Sequence, residues 1–326
     1  MAPTDRHAIA SAFAEEQLGK NPDISAIYLT GSAARNDGVE SSDIDIKLLV
    51  PDLGGRPAKP DPRTTWREGI FIDAAYVPSA DFRNAAELLK DPYLASSIND
   101  AVILFDSDGE LTRVRRAVVE QFMESRWLGA RVASLASAIK RNHARALDAL
   151  REPDKATTCQ GSSFALWTTC ELLLVSQGVA PTWVRGLHKL GVVLPAECER
   201  IFEIEGASAM TPLEVSRLIP FYVEAVNPGP GALHHAQKET EWMIRNSLHR
   251  EALHSLWIGV ALGLRSHMES GRAESEELAT DLAQRWLSSV GWDDAKLGAK
   301  VTDLGEYIDG AIQLAVGQVI SYKNLS

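Results

Sequence analysis

Asp43 and Asp45 stand two residues apart in Ser41-Ser42-Asp43-Ile44-Asp45-Ile46, and that spacing is the first sign of chemistry in the chain. Side chains two apart on a strand share a face, so both carboxylates point the same way. Two like charges so close repel each other, and burial adds to the cost unless cations lie between them. Hard divalent ions such as Mg²⁺ or Mn²⁺ take carboxylate oxygens together with substrate phosphates. A third carboxylate, Asp73, sits in the apolar run Phe71-Ile72-Asp73-Ala74-Ala75-Tyr76-Val77, where a charge needs a reason. On a neighbouring strand it completes two metal sites about 3.5–4 Å apart, a spacing suited to in-line displacement at phosphorus.

Thr30-Gly31-Ser32-Ala33-Ala34-Arg35 supplies the complementary chemistry. A strand that ends in Thr-Gly-Ser and runs into a helix presents backbone N–H groups and a helix dipole to an anionic phosphate. Gly31 lets the backbone approach closely, and the Ser32 hydroxyl adds a donor. Arg35, one turn on, is a charge-assisted partner for a phosphate oxygen. Ser42, just ahead of the Asp-x-Asp pair, joins Gly31, Ser32 and Arg35 as a candidate nucleotide contact. Singly, each has a plainer reading: an ordinary Gly-Ser turn, an edge strand with capping aspartates, a solvent-facing strand residue. Together, in this order on successive elements, they are hard to obtain by accident.

The elements that must position them follow from the pattern. Apolar positions at helical spacing run over 5–18, and Gly19 marks the stop. Strands are expected over 26–29, 43–50, 69–77 and 101–105. The Pro- and Gly-rich segment 51–65 is expected as a surface loop. A helix is expected from Ser79, with Ser79 as its N-cap. Beyond residue 110 the strand signals end, and helical periodicity covers about 111–125, 127–151, 160–178, 212–226, 236–268, 275–290 and 298–322. Thr211-Pro212-Leu213-Glu214 is a capping box with proline at the first helical position. Asn227-Pro228-Gly229-Pro230-Gly231 is the clearest break. The architecture expected is an α/β domain with a small mixed sheet over 1–110, then an all-α domain over 111–326.

The 326 residues allow two domains, and 45% hydrophobic content is ordinary for a chain with a real core. A formal net charge of −11 repels polyanions on average, which counts against broad nucleic-acid binding. Cys159, Cys170 and Cys198 form no CxxC pair and are expected as small buried hydrophobes. The N-terminal stretch carries acids and no long apolar core, so no signal peptide is expected. No run approaches the ~18 apolar residues of a membrane span. A cytoplasmic location is the expectation.

Residues 28–50, YLTGSAARNDGVESSDIDIKLLV, resemble the signature of the DNA polymerase β-like nucleotidyltransferase superfamily, a Gly-Ser turn followed by Asp-x-Asp on the next strand. The resemblance covers about the first third of the chain. It implies that Gly31 and Ser32 hold a triphosphate, that Asp43 and Asp45 ligate both metals, and that Asp73 is the third carboxylate. A catalytic domain followed by a helical one looks like the antibiotic nucleotidyltransferases that act on aminoglycosides or lincosamides. The activity implied is transfer of a nucleoside monophosphate from an NTP, with ATP the expected donor, to a small-molecule hydroxyl. Glu171, in the apolar stretch Leu166-Trp167-Thr168-Thr169-Cys170-Glu171-Leu172-Leu173, is the candidate general base, a surface-facing Glu being its plainer reading. A protein-modifying nucleotidyltransferase and a non-catalytic nucleotide-sensing protein are the alternatives.

Overall fold

Asp5 caps the first helix, α1 (Arg6–Lys20): its carboxylate accepts the His7 and Ala8 N–H groups, satisfying two of the four orphan donors at a helix start. The computed structural model describes residues 5–51, 65–152, 154–182, 185–226 and 230–325, with the backbone alone for 230–236 and 324–325. The break at Asn227-Pro228-Gly229 and most of the 51–65 segment lie outside the described residues. After α1 come β1 (Ala26–Thr30), the single-turn α2 (Gly31–Arg35), β2 (Ile44–Val50), β3 (Thr65–Arg67) and β4 (Ile70–Pro78). Then follow α3 (Ala85–Lys90), α4 (Pro92–Asn99), β5 (Val102–Asp106) and α5 (Glu110–Gln121).

The strands form one mixed sheet in the order β3-β4-β2-β1-β5. Among the described strand pairs, only β2·β4 is parallel. Alternation sorts the side chains onto two faces. Ile27, Leu29, Ile44, Ile46, Leu48, Ile72 and Ala74 pack with Ile9, Ala10 and Phe13 of α1 and with Ala33 and Ala34 of α2. On the other face Ala26, Tyr28 and Leu49 pack with Leu88, Leu89, Ala95, Ile98, Leu111, Val114 and Val118 of α3, α4 and α5. Along β2 this second face reads Asp45, Lys47, Leu49, charged at one end and apolar at the other.

Two expectations are corrected here. Ser79 opens a 3₁₀ turn, Ser79–Phe82, and caps no α-helix. The caps are Asn84 for α3, accepting the Ala86 N–H, and Asp91 for α4, accepting the Tyr93 and Leu94 N–H groups. Residue 65 belongs to β3, which the proline-rich run ahead of it concealed. The chain divides into compact units at Trp127/Leu128, seventeen residues past the expected boundary at 110, since α5 packs on the sheet through Leu111, Val114 and Val118.

Helices are the regular elements described in the second unit: α6 (Ser125–Arg151), which starts just before it, α7 (Lys155–Ser176), α8 (Gly186–Val193), α9 (Pro195–Glu205) and α10 (Pro212–Ser216). α11 (Ile219–Val226), α12 (Pro230–Arg245), α13 (His249–Glu269), α14 (Ala273–Ser289) and α15 (Leu297–Leu325) complete it. The expected capping box opens α10: Thr211 N–H donates to Glu214 Oε2 (2.7 Å) and Glu214 N–H to Thr211 Oγ1 (3.3 Å). The span 236–268 is two helices, broken at Ser247 in the left-handed region (φ 64°). α7 is buried on nearly every side, against α8, α13, α14 and α15, and its buried set includes Thr158, Gln160, Ser162 and Thr169 beside the Leu172-Leu173-Leu174 run. All three cysteines are free and buried. No described helix is long and apolar enough to cross a membrane.

In this unit Glu205 Oε1 lies 2.5 Å from His254 Nδ1, both side chains 1% exposed. Trp292, whose Nε1–H donates to Ile204 O (2.9 Å), stacks edge-on against Trp257 nearby. Burial raises the Glu205 carboxyl above its ordinary range, against the pull of His254. An acid raised in the folded state binds more protons folded than unfolded. Its contribution to stability therefore falls as pH climbs from the ordinary value of 4.5 through the folded one. Urea midpoints read from tryptophan fluorescence should decline over that window, and Glu205→Gln should flatten the decline. An unchanged slope in the variant would locate its source elsewhere.

Candidate active site

Asp45 stands at the centre of the charged end of the sheet. Its neighbour in register on β1 is Thr30, and its neighbour on β4 is Asp73. Asp43 directly precedes β2, two residues from Asp45. All three aspartates are half-buried. The Asp45 carboxyl is pushed up to about 7, first by burial and then by Asp43, with Asp73 adding to the rise and Lys47 and Arg35 opposing it. These are the two effects expected of adjacent acids withdrawn from water.

Gly31 is matched to Asp45 in shape. Its φ of +69° is one that L side chains rarely adopt. A Cβ built on it would lie 2.1 Å from Asp45 Oδ2 and 3.1 Å from Cγ. The carboxylate therefore occupies the space a side chain would fill. The Gly-Ser turn and the Asp-x-Asp strand, far apart as motifs, form one packed object.

Other residues support this end of the sheet. Thr30 Oγ1 lies 3.0 Å from Ser97 Oγ on α4, which in turn donates to Tyr28 Oη (3.4 Å). Ser42 is buried, and its Oγ accepts the Val39 N–H (2.9 Å), closing the turn from which Asp43 emerges. Its hydroxyl is thus engaged in building the turn. Arg35 is held by Asp37 (3.1 Å) and Asp100 (3.2 Å), so its charge reaches Asp45 while its hydrogen bonds go to those two carboxylates. Ser32, 9% exposed, follows Gly31 in α2. That helix is a single turn, so its dipole is small, and local N–H and hydroxyl donors are what it offers an anion.

Glu171 lies on α7 in the second unit and is 2% exposed. The surface-facing reading fails because the Glu171 side chain itself is withdrawn from solvent. A cavity of about 270 Å³ lies at the opposite end of the sheet, between Ser25, Leu49, Ser79, Arg83 and Asp106, and none of the three aspartates lines it.

The donor set suits a hard divalent cation. It is carboxylate oxygen alone, concentrated where burial makes negative charge expensive. Among the described residues, no group of three or more His, Cys, Asp or Glu side chains is placed to hold a metal ion, and Asp43, Asp45 and Asp73 are no exception. Mg²⁺ needs none, since one or two carboxylates with water and substrate phosphates suffice.

No protein-family model matches the chain, and no curated protein matches it in sequence. Among solved structures it is similar to the crystal structure of a nucleotidyltransferase-like protein from Exiguobacterium sibiricum 255-15. The identity is 12%, over 94% of this chain and 90% of that one, with a TM-score of 0.37. So distant a likeness says nothing about activity, and the functional reading rests on the carboxylates and the glycine turn.

Proposed function

We propose that this chain is a metal-dependent nucleotidyltransferase. It moves a nucleoside monophosphate from an NTP, with ATP the expected donor, to a hydroxyl of a small molecule such as an aminoglycoside-type antibiotic, releasing pyrophosphate. The observation that carries the reading is Asp45: half-buried, seated against Gly31 and flanked by Asp43 and Asp73, it marks a site whose excess negative charge calls for cations.

Asp43, Asp45 and Asp73 would hold two divalent ions, Mg²⁺ or Mn²⁺. Bound there, such ions neutralise charge on the phosphoryl oxygens and align the attacking and leaving oxygens. The chain's own groups do the rest. The backbone at Gly31 and the Ser32 hydroxyl orient the triphosphate, and Arg35, fixed by Asp37 and Asp100, adds positive potential beside Asp45. The acceptor oxygen forms a bond to the α-phosphorus as the bond to pyrophosphate breaks, and the acceptor proton passes to a general base. A small cationic acceptor is favoured by the net charge of −11, which disfavours polynucleotides.

Nucleotide affinity should depend on the metal. Calorimetry with ATP in Mg²⁺ and again in EDTA should show binding in the first and little in the second; equal affinity would sink the two-metal account. The acceptor is tested by incubating the protein with labelled ATP, GTP, CTP and UTP against aminoglycosides, lincosamides, proteins and tRNA. Label on an aminoglycoside or lincosamide supports the reading. Label on protein or tRNA moves the acceptor to that class, and no label on any acceptor overturns the reading as an enzyme.

A further inference from the structure

We infer that Arg6, in the first turn of α1, is a positioning residue for the aspartate site: it clamps the turn that delivers Asp43 to β2. The inference rests on the reading of that site as one that binds divalent cations. Its guanidinium Nη2 faces three backbone carbonyls in one short stretch, Val39 O at 2.6 Å, Glu40 O at 3.3 Å and Ser42 O at 3.4 Å. Two N–H bonds are shared among three acceptors, and the positive charge strengthens each. Inside the turn, Ser42 N–H donates to Val39 O (3.0 Å) while Val39 N–H donates to Ser42 Oγ (2.9 Å).

His7, the next residue, holds the other arm of the site. Its Nε2 lies 3.0 Å from Ala33 O of α2, and since a carbonyl only accepts, Nε2–H is the donor. Consecutive residues of α1 thus grip both segments that converge on Asp45. The grip has a firm base, because Ile9, Ala10, Phe13 and Ala14 anchor α1 in the sheet core.

Residues 36–43 form no helix or strand, so the ladder of β2 does not reach back to fix Asp43. The Ser42 carbonyl that Arg6 holds belongs to the peptide joining Ser42 to Asp43, so the clamp acts on the last bond before the carboxylate's residue.

The probe is Mn²⁺ alone, titrated into the full chain and followed by electron paramagnetic resonance, with hydrogen exchange at the Ser42 amide as a second readout. Arg6→Ala should weaken Mn²⁺ binding by about tenfold, the lower end for losing a partner that orients a metal ligand. Arg6→Lys should recover part of it. In an Asp43→Asn background Arg6→Ala should change Mn²⁺ affinity by less than about twofold, because the group it positions is gone. A general loss of structure would weaken binding in both backgrounds. Unchanged Mn²⁺ affinity in Arg6→Ala, or the same tenfold loss without Asp43, overturns the clamp. Where Arg6→Ala fails to fold, Arg6→Lys carries the same comparison at smaller amplitude. A wild-type chain that binds no Mn²⁺ refutes the proposed function and leaves exchange to judge the clamp. Ser42 exchange should then speed up about tenfold in Arg6→Ala, and an unchanged rate overturns the clamp.

Discussion

Asp45→Asn should lower nucleotidyl transfer by at least about a thousandfold and yet leave the unliganded protein more stable. The two effects have one cause. In the apo protein the Asp45 carboxyl is pushed up to about 7, mainly by burial and by Asp43, so ionised Asp45 is a burden on the fold near neutral pH. An acid raised in the folded state contributes stability below its unfolded value of 3.8, and that contribution is lost as pH rises through the folded value near 7. Asparagine keeps the shape and removes the charge. The gain at pH 7 should be about 1–2 kcal/mol, well below what the full shift would give, because the side chain keeps some water contact. On the proposed function, transfer should suffer because charge building up at phosphorus would then lack the carboxylate that holds its counter-ions, and single electrostatic contributions of this kind are worth about 10²–10³ or more. Thermal melts with and without Mg²⁺ expose the opposition: the variant should melt higher than wild type in EDTA, and it should lack the upward shift that the proposed function expects of wild type with Mg²⁺ and ATP. Near wild-type turnover in Asp45→Asn would remove Asp45 from the ligand set.

Much of the first unit could be read from its residues, because local rules and tertiary packing agree there. Ile27-Tyr28-Leu29 is a short continuous apolar run and Ile44-x-Ile46-x-Leu48 alternates, and both became inner strands of the sheet. β3 escaped notice because it is three residues long and leans on β4 for its hydrogen bonds, information its own sequence lacks. The break at Ser247 carries neither glycine nor proline. α8 and α9 were hidden by their shortness, although Pro195 at the first turn of α9 was a usable signal. Glu171 shows the limit of periodicity: a carboxylate among apolar residues reads as solvent-facing until its tertiary neighbours are known to cover it.

The site divides the same way. Spacing put Asp43 and Asp45 on one face, and strand context suggested Asp73; the β2·β4 register then set Asp45 beside Asp73. The partners of Arg35 and Ser42 were not legible, since Asp100 lies sixty-five residues from Arg35. Nor did the motif reveal that Arg6 and His7 brace it, because their acceptors are main-chain carbonyls, which have no identity in a sequence.

Gly31→Ala should cost both stability and nucleotide binding. Holding alanine at φ +69° costs about 1–2 kcal/mol by itself. The larger effect is steric. A methyl carbon 2.1 Å from Asp45 Oδ2 is far inside contact distance, so the carboxylate must swing away or the turn must move. Either shift breaks the alignment of Asp45 with Asp73 and moves the Ser32 hydroxyl, and affinity for Mg²⁺ with ATP should fall by at least about a hundredfold, comparable to losing an orienting partner or more. Steric conflict can be separated from backbone strain. In Asp45→Ala the space beside Gly31 is vacant, so adding Gly31→Ala there should cost only the strain, and the double variant should be more stable than additivity predicts by about 1 kcal/mol or more. Urea denaturation of the two single variants, the double variant and wild type measures that difference. Strict additivity would mean that Gly31 is required only for its backbone angle, and that its fit to the Asp45 carboxylate contributes nothing to the site.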